Sequence, residues 1–483
     1  MKKASSIILA ALLLFFQSGL SAQDLETGYF LGGNPYAFRL NPAFQSERNI
    51  VSVALGQTGL GVWSNLGFST LLYPDPSSGQ LYSFLNDWVD AGEFLGKIKK
   101  NNSFDADVRL NLLTVGFWAG PQFFTLDFNV RSLNATTLPY DLFSFWKEGP
   151  ESRDHFDFSH LGYRSQTFAE AAFGWSRNFD DVFNLGFRMK ALVGGLELNA
   201  LAQNMKLTMT DERWEVQAQS FLYGSSPSLA YHLDEHGNPD PASIYLKDDS
   251  WGSAGFGGAL DLGASWNIFP YLTLSASVLD LGGIRWNREV QFVSPESSYV
   301  WAPSERGEAA LENWEDEFDN ALEALSGAFL FQDASGAGGA FEMLPAQVYL
   351  GAEFRIPFYE RLSLGALYSG RVGSGYGRQN GRISVNWNPL DFLSLSGGTT
   401  ISRLGESYGF ALNLHPAGVN LMVGCDYVPV HSVSLSPLLE DADLPGFIKR
   451  NAILPRDQMK FNLYVGLNLA FGHSRLDYAR RFW

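Results

Sequence analysis

The stretch KFNLYVGLNLAFG, residues 460–472, decides the fold. Phe461, Leu463, Val465, Leu467, Leu469 and Phe471 fall on one face of an extended chain. Lys460, Asn462, Tyr464, Gly466, Asn468 and Ala470 fall on the other, because strand side chains alternate with period two. Strands of globular domains usually run about 5–6 residues, so an apolar face kept up for twice that length asks for an apolar solvent of fixed thickness. Lipid is such a solvent. About 9–11 residues of a tilted strand cross its hydrocarbon layer. Within that layer every backbone N–H and C=O has to be paired, and a closed barrel does this without leaving an edge.

The same alternation recurs upstream. In ADVRLNLLTVGFW, Ala106, Val108, Leu110 and Leu112 oppose Asp107, Arg109 and Asn111. In FFTLDFNVR, Phe124, Leu126, Phe128 and Val130 oppose Thr125, Asp127, Asn129 and Arg131. Phe183, Leu185, Phe187, Met189 and Ala191 oppose Asn184, Gly186, Arg188 and Lys190. Leu260, Leu262, Ala264 and Trp266 oppose Asp261, Gly263, Ser265 and Asn267. Ile383, Val385 and Trp387, then Leu393, Leu395 and Ile401, repeat the pattern. Short links at 119–122, 178–181, 268–271, 357–360, 388–391 and 415–418 alternate with longer polar stretches at 73–104, 132–165, 223–253, 283–345 and 429–459. Short turns at one end and long loops at the other are the asymmetry of an outer-membrane barrel.

The expected fold is therefore all-β: a transmembrane antiparallel up-and-down barrel of about 14 strands, within a range of 12–16. Fourteen is chosen because residues 202–223 read either as an extra hairpin or as part of a loop. Trp118, Trp175, Trp266, Trp387 and the terminal Phe482 and Trp483 are expected in interfacial girdles. If Leu467 faces lipid and Asn468 the lumen, an added charge is expected to be costly at 467 and much cheaper at 468.

The chain begins with Lys2 and Lys3, the apolar run Ile7–Phe16 and a region of small and polar residues, the pattern of a secretory signal peptide over residues 1–22. Residues 23–48 form an amino-terminal segment and 49–483 the barrel domain. Without Lys2 and Lys3 the chain holds 32 basic and 51 acidic residues, a net charge of −19, which argues against nucleic acid as a partner. No later segment offers about 20 consecutive apolar residues, which excludes a helical membrane protein. Cys425 is the one cysteine, so neither a disulfide within the chain nor a cysteine metal site is possible. No cofactor and no metal are expected, and a monomer embedded in outer-membrane lipid is.

The alternation places Asp107, Arg109, Asp127, Arg131, Glu170, Arg188, Lys190 and Asp261 inside the barrel. They either pair with one another and stiffen the wall or form a polar constriction that selects solutes. Residues 305–327 carry Ala310, Trp314, Phe318, Ala321 and Leu325 at helical spacing, an acidic amphipathic helix in a long loop. It reads as a gate or partner contact, or as a solvated helix on the rim. GESYG, 405–409, matches the nucleophile elbow with Ser407 in the serine position, but its flanks read strand–turn–strand, whereas the elbow needs a strand–turn–helix. HLDEH, 232–236, is cut off by GNPDP and reads as a loop, in which Asp234, Glu235, Asn238 and Asp240 offer at most weak calcium ligands.

RLNPAF (39–44), FAEAAFGWSRNFDDVFNLGFRMKALVGG (168–195), GALDLGASWNIFPYLTLSASVLDLGGIRW (258–286) and LPAQVYLGAEFRIPF (344–358) resemble a family of uncharacterised outer-membrane β-barrels of Bacteroidetes-type bacteria. That family carries a domain of unknown function and is distantly similar to long-chain fatty-acid transporter barrels. The resemblance implies fold and location and brings no catalytic residues. In the fatty-acid transporter barrels a similar stretch to Asn41, Pro42 and Ala43 belongs to a segment folded inside the lumen. By that resemblance residues 24–48 form a lumen plug; the alternative is a periplasmic tail. The expected function is a non-enzymatic channel or transporter for small solutes, with hydrophobic ones suggested by the transporter likeness; the alternative is a scaffold or shuttle for surface or secretion components.

Overall fold

Met459–Phe471, the strand that contains the opening stretch, pairs on both sides, and that double pairing closes the wall. In this computed structural model residues 25–472 are described except 55, 76–80, 152, 211–212, 233–242, 244, 248–251, 288–289, 302–331, 334–338, 374–376, 403–404, 417, 429–431, 435–452 and 456–458. Residues 1–22, expected to be a signal peptide, the acidic segment 305–327, most of HLDEH and the terminal Phe482 and Trp483 lie outside the described residues.

Fourteen antiparallel strands form the closed barrel. The first, β1, is broken into Asn49–Val53 and Thr58–Ser64. Then come β2 (Asn101–Ala119), β3 (Gln122–Pro139), β4 (Gly162–Phe179) and β5 (Phe183–Met209). They are followed by β6 (Gly255–Phe269), β7 (Leu272–Trp286), β8 (Ala346–Arg355), β9 (Leu362–Val372) and β10 (Arg378–Leu390). The wall ends with β11 (Leu393–Ser402), β12 (Gly405–Leu414), β13 (Val419–Val428) and β14 (Met459–Phe471). Each strand pairs with its neighbours in sequence, and β14 pairs with both pieces of β1.

The expected alternation is present. Leu463, Val465, Leu467, Leu469 and Phe471 are exposed, whereas Asn462, Tyr464 and Asn468 are buried. The six short links are hairpin turns. In the one between β4 and β5, where Phe179 pairs with Phe183, Asp180 and Asp181 both take positive φ, 52° and 57°, as the central residues of a turn closed by Val182 N donating to Phe179 O at 3.1 Å. Asn178 Oδ1 secures it by accepting Asp181 N at 2.8 Å.

The other end differs from expectation in three ways. Two of its connections, 373–377 and 403–404, are short. The polar stretches 73–104 and 132–165 are largely ordered, since β2 to β5 run 18–27 residues, well past the length that crosses hydrocarbon. Residues 202–223 belong to a hairpin beyond the wall, in which Trp214–Ser225 pairs with the far half of β5 and with Val290–Trp301. Apolar clusters hold this region together: Leu66, Phe84, Phe94, Ile98 and Phe143 in one, Phe145, Phe156, Phe158, Leu207 and Trp214 in the other. Such clusters are invisible to period-two counting, because they join residues of short helices such as Tyr140–Glu148 and of connections to strand residues such as Leu207 and Trp214.

Trp118 is a correction. It turns inward, packs on Phe123 with ring centroids 5.0 Å apart, and its Nε1 donates to Ser46 O at 2.9 Å. The bulge of β2 at Asn111/Leu113 shifts the parity of everything after it, which is why Trp118 leaves the girdle and Phe117 joins the outer face. Trp266 and Trp387 are exposed on the outside as expected, and Trp175, half-buried, shares their face.

Candidate functional site: the lumen and the segment inside it

All eight residues expected to line the lumen are buried at inward positions. Six of them form one chain of ion pairs. Asp127 accepts Arg188 Nη2 at 2.7 Å, and Arg188 Nη1 lies 3.3 Å from Asp261. Lys190 Nζ is 2.7 Å from Asp261 and 2.6 Å from Asp280. Arg131 grips Asp280 with two bonds of 2.9 Å and reaches Glu170 at 3.0 Å. Asp107 stands apart from this chain and pairs with Arg371 and, at 3.2 Å, with Arg378. Arg109 is buried beside Asp107 in β2, on the same inner face.

Two members of the chain escaped the sequence reading. Asp280 sits where strict alternation from Leu274, Ala276 and Val278 would turn it toward lipid. Instead β7 bulges there: Asp280 adopts φ 60°, its N–H donates to Asp261 Oδ1 at 2.8 Å, and its carboxylate turns inward. A carboxylate in a lipid-facing slot, followed by Gly282 and Gly283, is the signal that a bulge was due. The other is Arg39, which lies ahead of the barrel. Its Nη2 donates to Asp127 Oδ1 and to Thr114 Oγ1, both at 2.9 Å.

Arg39 belongs to residues 25–48, and these lie among the inward side chains of the wall. At the start of the segment the N–H groups of Glu26 and Thr27 donate to the Asp426 carboxylate at 3.1 and 2.6 Å. Arg382 lies 3.2 Å from the same carboxylate and also donates to Thr27 Oγ1. Leu25, Leu31 and Tyr36 pack with Ala411, Met422 and Tyr464, while Tyr29 packs with Leu279, Tyr349 and Leu367. Near the turns Gln45 Nε2 donates to Ser176 Oγ at 3.2 Å.

Asn41, Pro42 and Ala43 occupy a notch in the wall. Asn41 Nδ2 donates to the carbonyls of Ala264 and Ala276, each at 3.2 Å, and its Oδ1 accepts Ala43 N at 3.0 Å. Proline at 42 holds Asn41 out of the helical region, which favours this bend. Gly186 of β5 and Gly263 of β6 face each other across the ladder. A Cβ at the first would lie 2.0 Å from Pro42 O, and at the second 2.1 Å from Asn41 Oδ1. Only glycine leaves room for the bend.

Asn468 corrects the expectation of an aqueous inner face at mid-height. It is 2 % exposed, on a wall against which Tyr36 rests. Ser407 sits in β12 opposite Thr400 of β11, so GESYG is part of a hairpin, as its flanks implied. Among the described residues no group of three or more His, Cys, Asp or Glu side chains is placed to hold a metal ion.

A closed fourteen-stranded antiparallel wall, apolar outside and charged inside, is a β-barrel of the outer-membrane type. The chain belongs to the DUF5723 family, a family of unknown function, whose profile matches residues 42–426. No curated protein matches the sequence. Among solved structures it is similar to the Ralstonia pickettii toluene transporter TbuX, at 9% identity and a TM-score of 0.43 over 94% of this chain and 100% of that one. A Pseudomonas aeruginosa FadL homologue matches at 11% identity and a TM-score of 0.41, over 94% and 99% of the two chains. The CymD monoaromatic hydrocarbon channel matches at 7% identity and a TM-score of 0.39, over 92% and 95%.

Proposed function

We propose that the protein is a gated, non-enzymatic outer-membrane channel for small apolar solutes, with residues 25–48 as the closure. One observation supports this reading: residues 25–48 bond inward-facing wall side chains at both ends and in the middle, beside the apolar packing of Leu25, Leu31 and Tyr29. Thr27 on Asp426, Arg39 on Asp127 and Gln45 on Ser176 are polar bonds, so the segment leaves only when other polar partners take their place. A barrel serving only as a support gains nothing from filling its bore with replaceable bonds. The apolar character of the solute is supported by a layer at the far end of the lumen, where Leu133, Phe168, Leu192, Ile284, Trp286 and Leu344 pack together above the ion pairs.

A tether tests it. Gln45→Cys with Ser176→Cys, in a Cys425→Ala background, is expected to lock the segment when oxidised. Planar-bilayer conductance and whole-cell uptake of a small apolar solute should both be absent in the locked form and appear on reduction. Equal readings in the two forms overturn the closure. Conductance without apolar uptake overturns the solute class alone.

A further inference from the structure

The seam where the first strand meets the last is broken at mid-height, and the break is bridged from inside. Toward the loops Thr58–Ser64 pairs with Val465–Met459; toward the turns Asn49–Val51 pairs with Phe471–Leu469. Between these runs stand 52–57 on one strand and 466–468 on the other, and among the described residues of this stretch no ladder pairing joins them. On the side of β2 the interruption is milder: Ala54 N donates to Leu112 O at 2.8 Å, and Thr58 Oγ1 accepts Asn111 N at 3.2 Å. A gap in the ladder at membrane depth is costly, because lipid offers no replacement partners.

Side chains supply partners, one from β1 itself and the others from the segment. Leu467 O accepts Ser52 Oγ of β1 at 2.7 Å and Tyr36 Oη–H of the segment at 3.3 Å. Gln57 O accepts Arg39 Nη1 at 3.0 Å, while the same guanidinium holds Asp127 with its other nitrogen. The Tyr36 ring lies close against Gly466, where a Cβ would come within 2.7 Å of it. Tyr36 and Arg39 are themselves stacked, the guanidinium carbon 5.0 Å from the ring centre.

We infer that Tyr36 and Arg39 are a clasp on the β1–β14 seam, supplying from the lumen bonds that the ladder omits. The segment is then part of the wall as well as an occupant of the bore, and its displacement and the loosening of this one seam are a single event. The inference goes beyond the channel reading, since a clasped seam serves a barrel of any function.

Hydrogen–deuterium exchange of the full-length protein in nanodiscs tests it. Tyr36→Phe removes one hydroxyl, and Arg39→Lys keeps the charge while giving up the two-ended grip. Each is expected to speed exchange about tenfold in peptides covering 52–60 and 463–470, the factor expected for losing one hydrogen bond of this kind. Peptides from β9 to β11 should be unchanged. Unaltered exchange at the seam in both variants overturns the clasp, and so does equal acceleration around the whole barrel.

Discussion

Asp127 joins the two halves of the lumen chemistry, since it accepts Arg39 from the segment and Arg188 from the wall, with its carboxylate fully buried. Removing one partner of a buried ion pair costs about 3–5 kcal/mol because the other charge is stranded. Asp127→Asn should therefore lose about that much stability by denaturant titration in vesicles, and a loss below about 1 kcal/mol would place these charges in water. Leu467→Arg faces lipid and should cost about 2–4 kcal/mol. Asn468→Arg has no aqueous space to enter, so overpacking should cost about 1–3 kcal/mol. A free ride for arginine at 468 alone would mean the lumen is open at that level. The sequence made the parity of each residue legible wherever the ladder is regular. It failed at Asp280 and Trp118, where bulges invert the parity, and at Arg39, whose role depends on a fold-back that no local period encodes.

At the scale of elements, strand existence and the six short turns were readable, because lipid imposes a long uniform face and hairpins impose small polar links. The ends of the long strands were not, since beyond the membrane β5 packs on other parts of the chain, Leu207 and Met209 against Phe145, Phe156 and Phe158, and no longer sets an apolar face against lipid. The notch made by Gly186 and Gly263 is an element-level device: two opposed glycines in adjacent strands accept one bend of the segment. Gly263→Val should push Asn41 and Pro42 out of it. Ala43, wholly buried in the native protein, supplies the readout. A cysteine there, with Cys425→Ala, should resist a water-soluble maleimide in the native background and react readily beside Gly263→Val. Equal protection in both would show that the bend does not depend on the notch.

The whole molecule has one apolar belt and two unlike rims, and its orientation follows from which rim meets the cell exterior. With the turns on the periplasmic side, epitope tags at Asn238 and Ser436, in the polar sequence stretches 223–253 and 429–459, should bind antibody on intact cells. A tag at Gly120, in the β2–β3 turn where φ is 60°, should bind only after the cells are opened. Surface labelling of the Gly120 tag would invert the orientation.

That residues 25–48 bond the inward side chains of strands they precede in sequence has a consequence for manufacture. During export the amino terminus arrives first, whereas Met459–Phe471, which completes the ring, arrives last. The segment can thus act as a mandrel, with the sheet curling round it and the final strand meeting β1 over a core already in place. A chain whose mandrel carries Tyr36→Phe and Arg39→Lys together should linger as an uncurled sheet, visible as a slower shift in heat-modifiable gel migration during refolding. Closure as fast as in the native chain would show that the ring forms first and the segment enters afterwards.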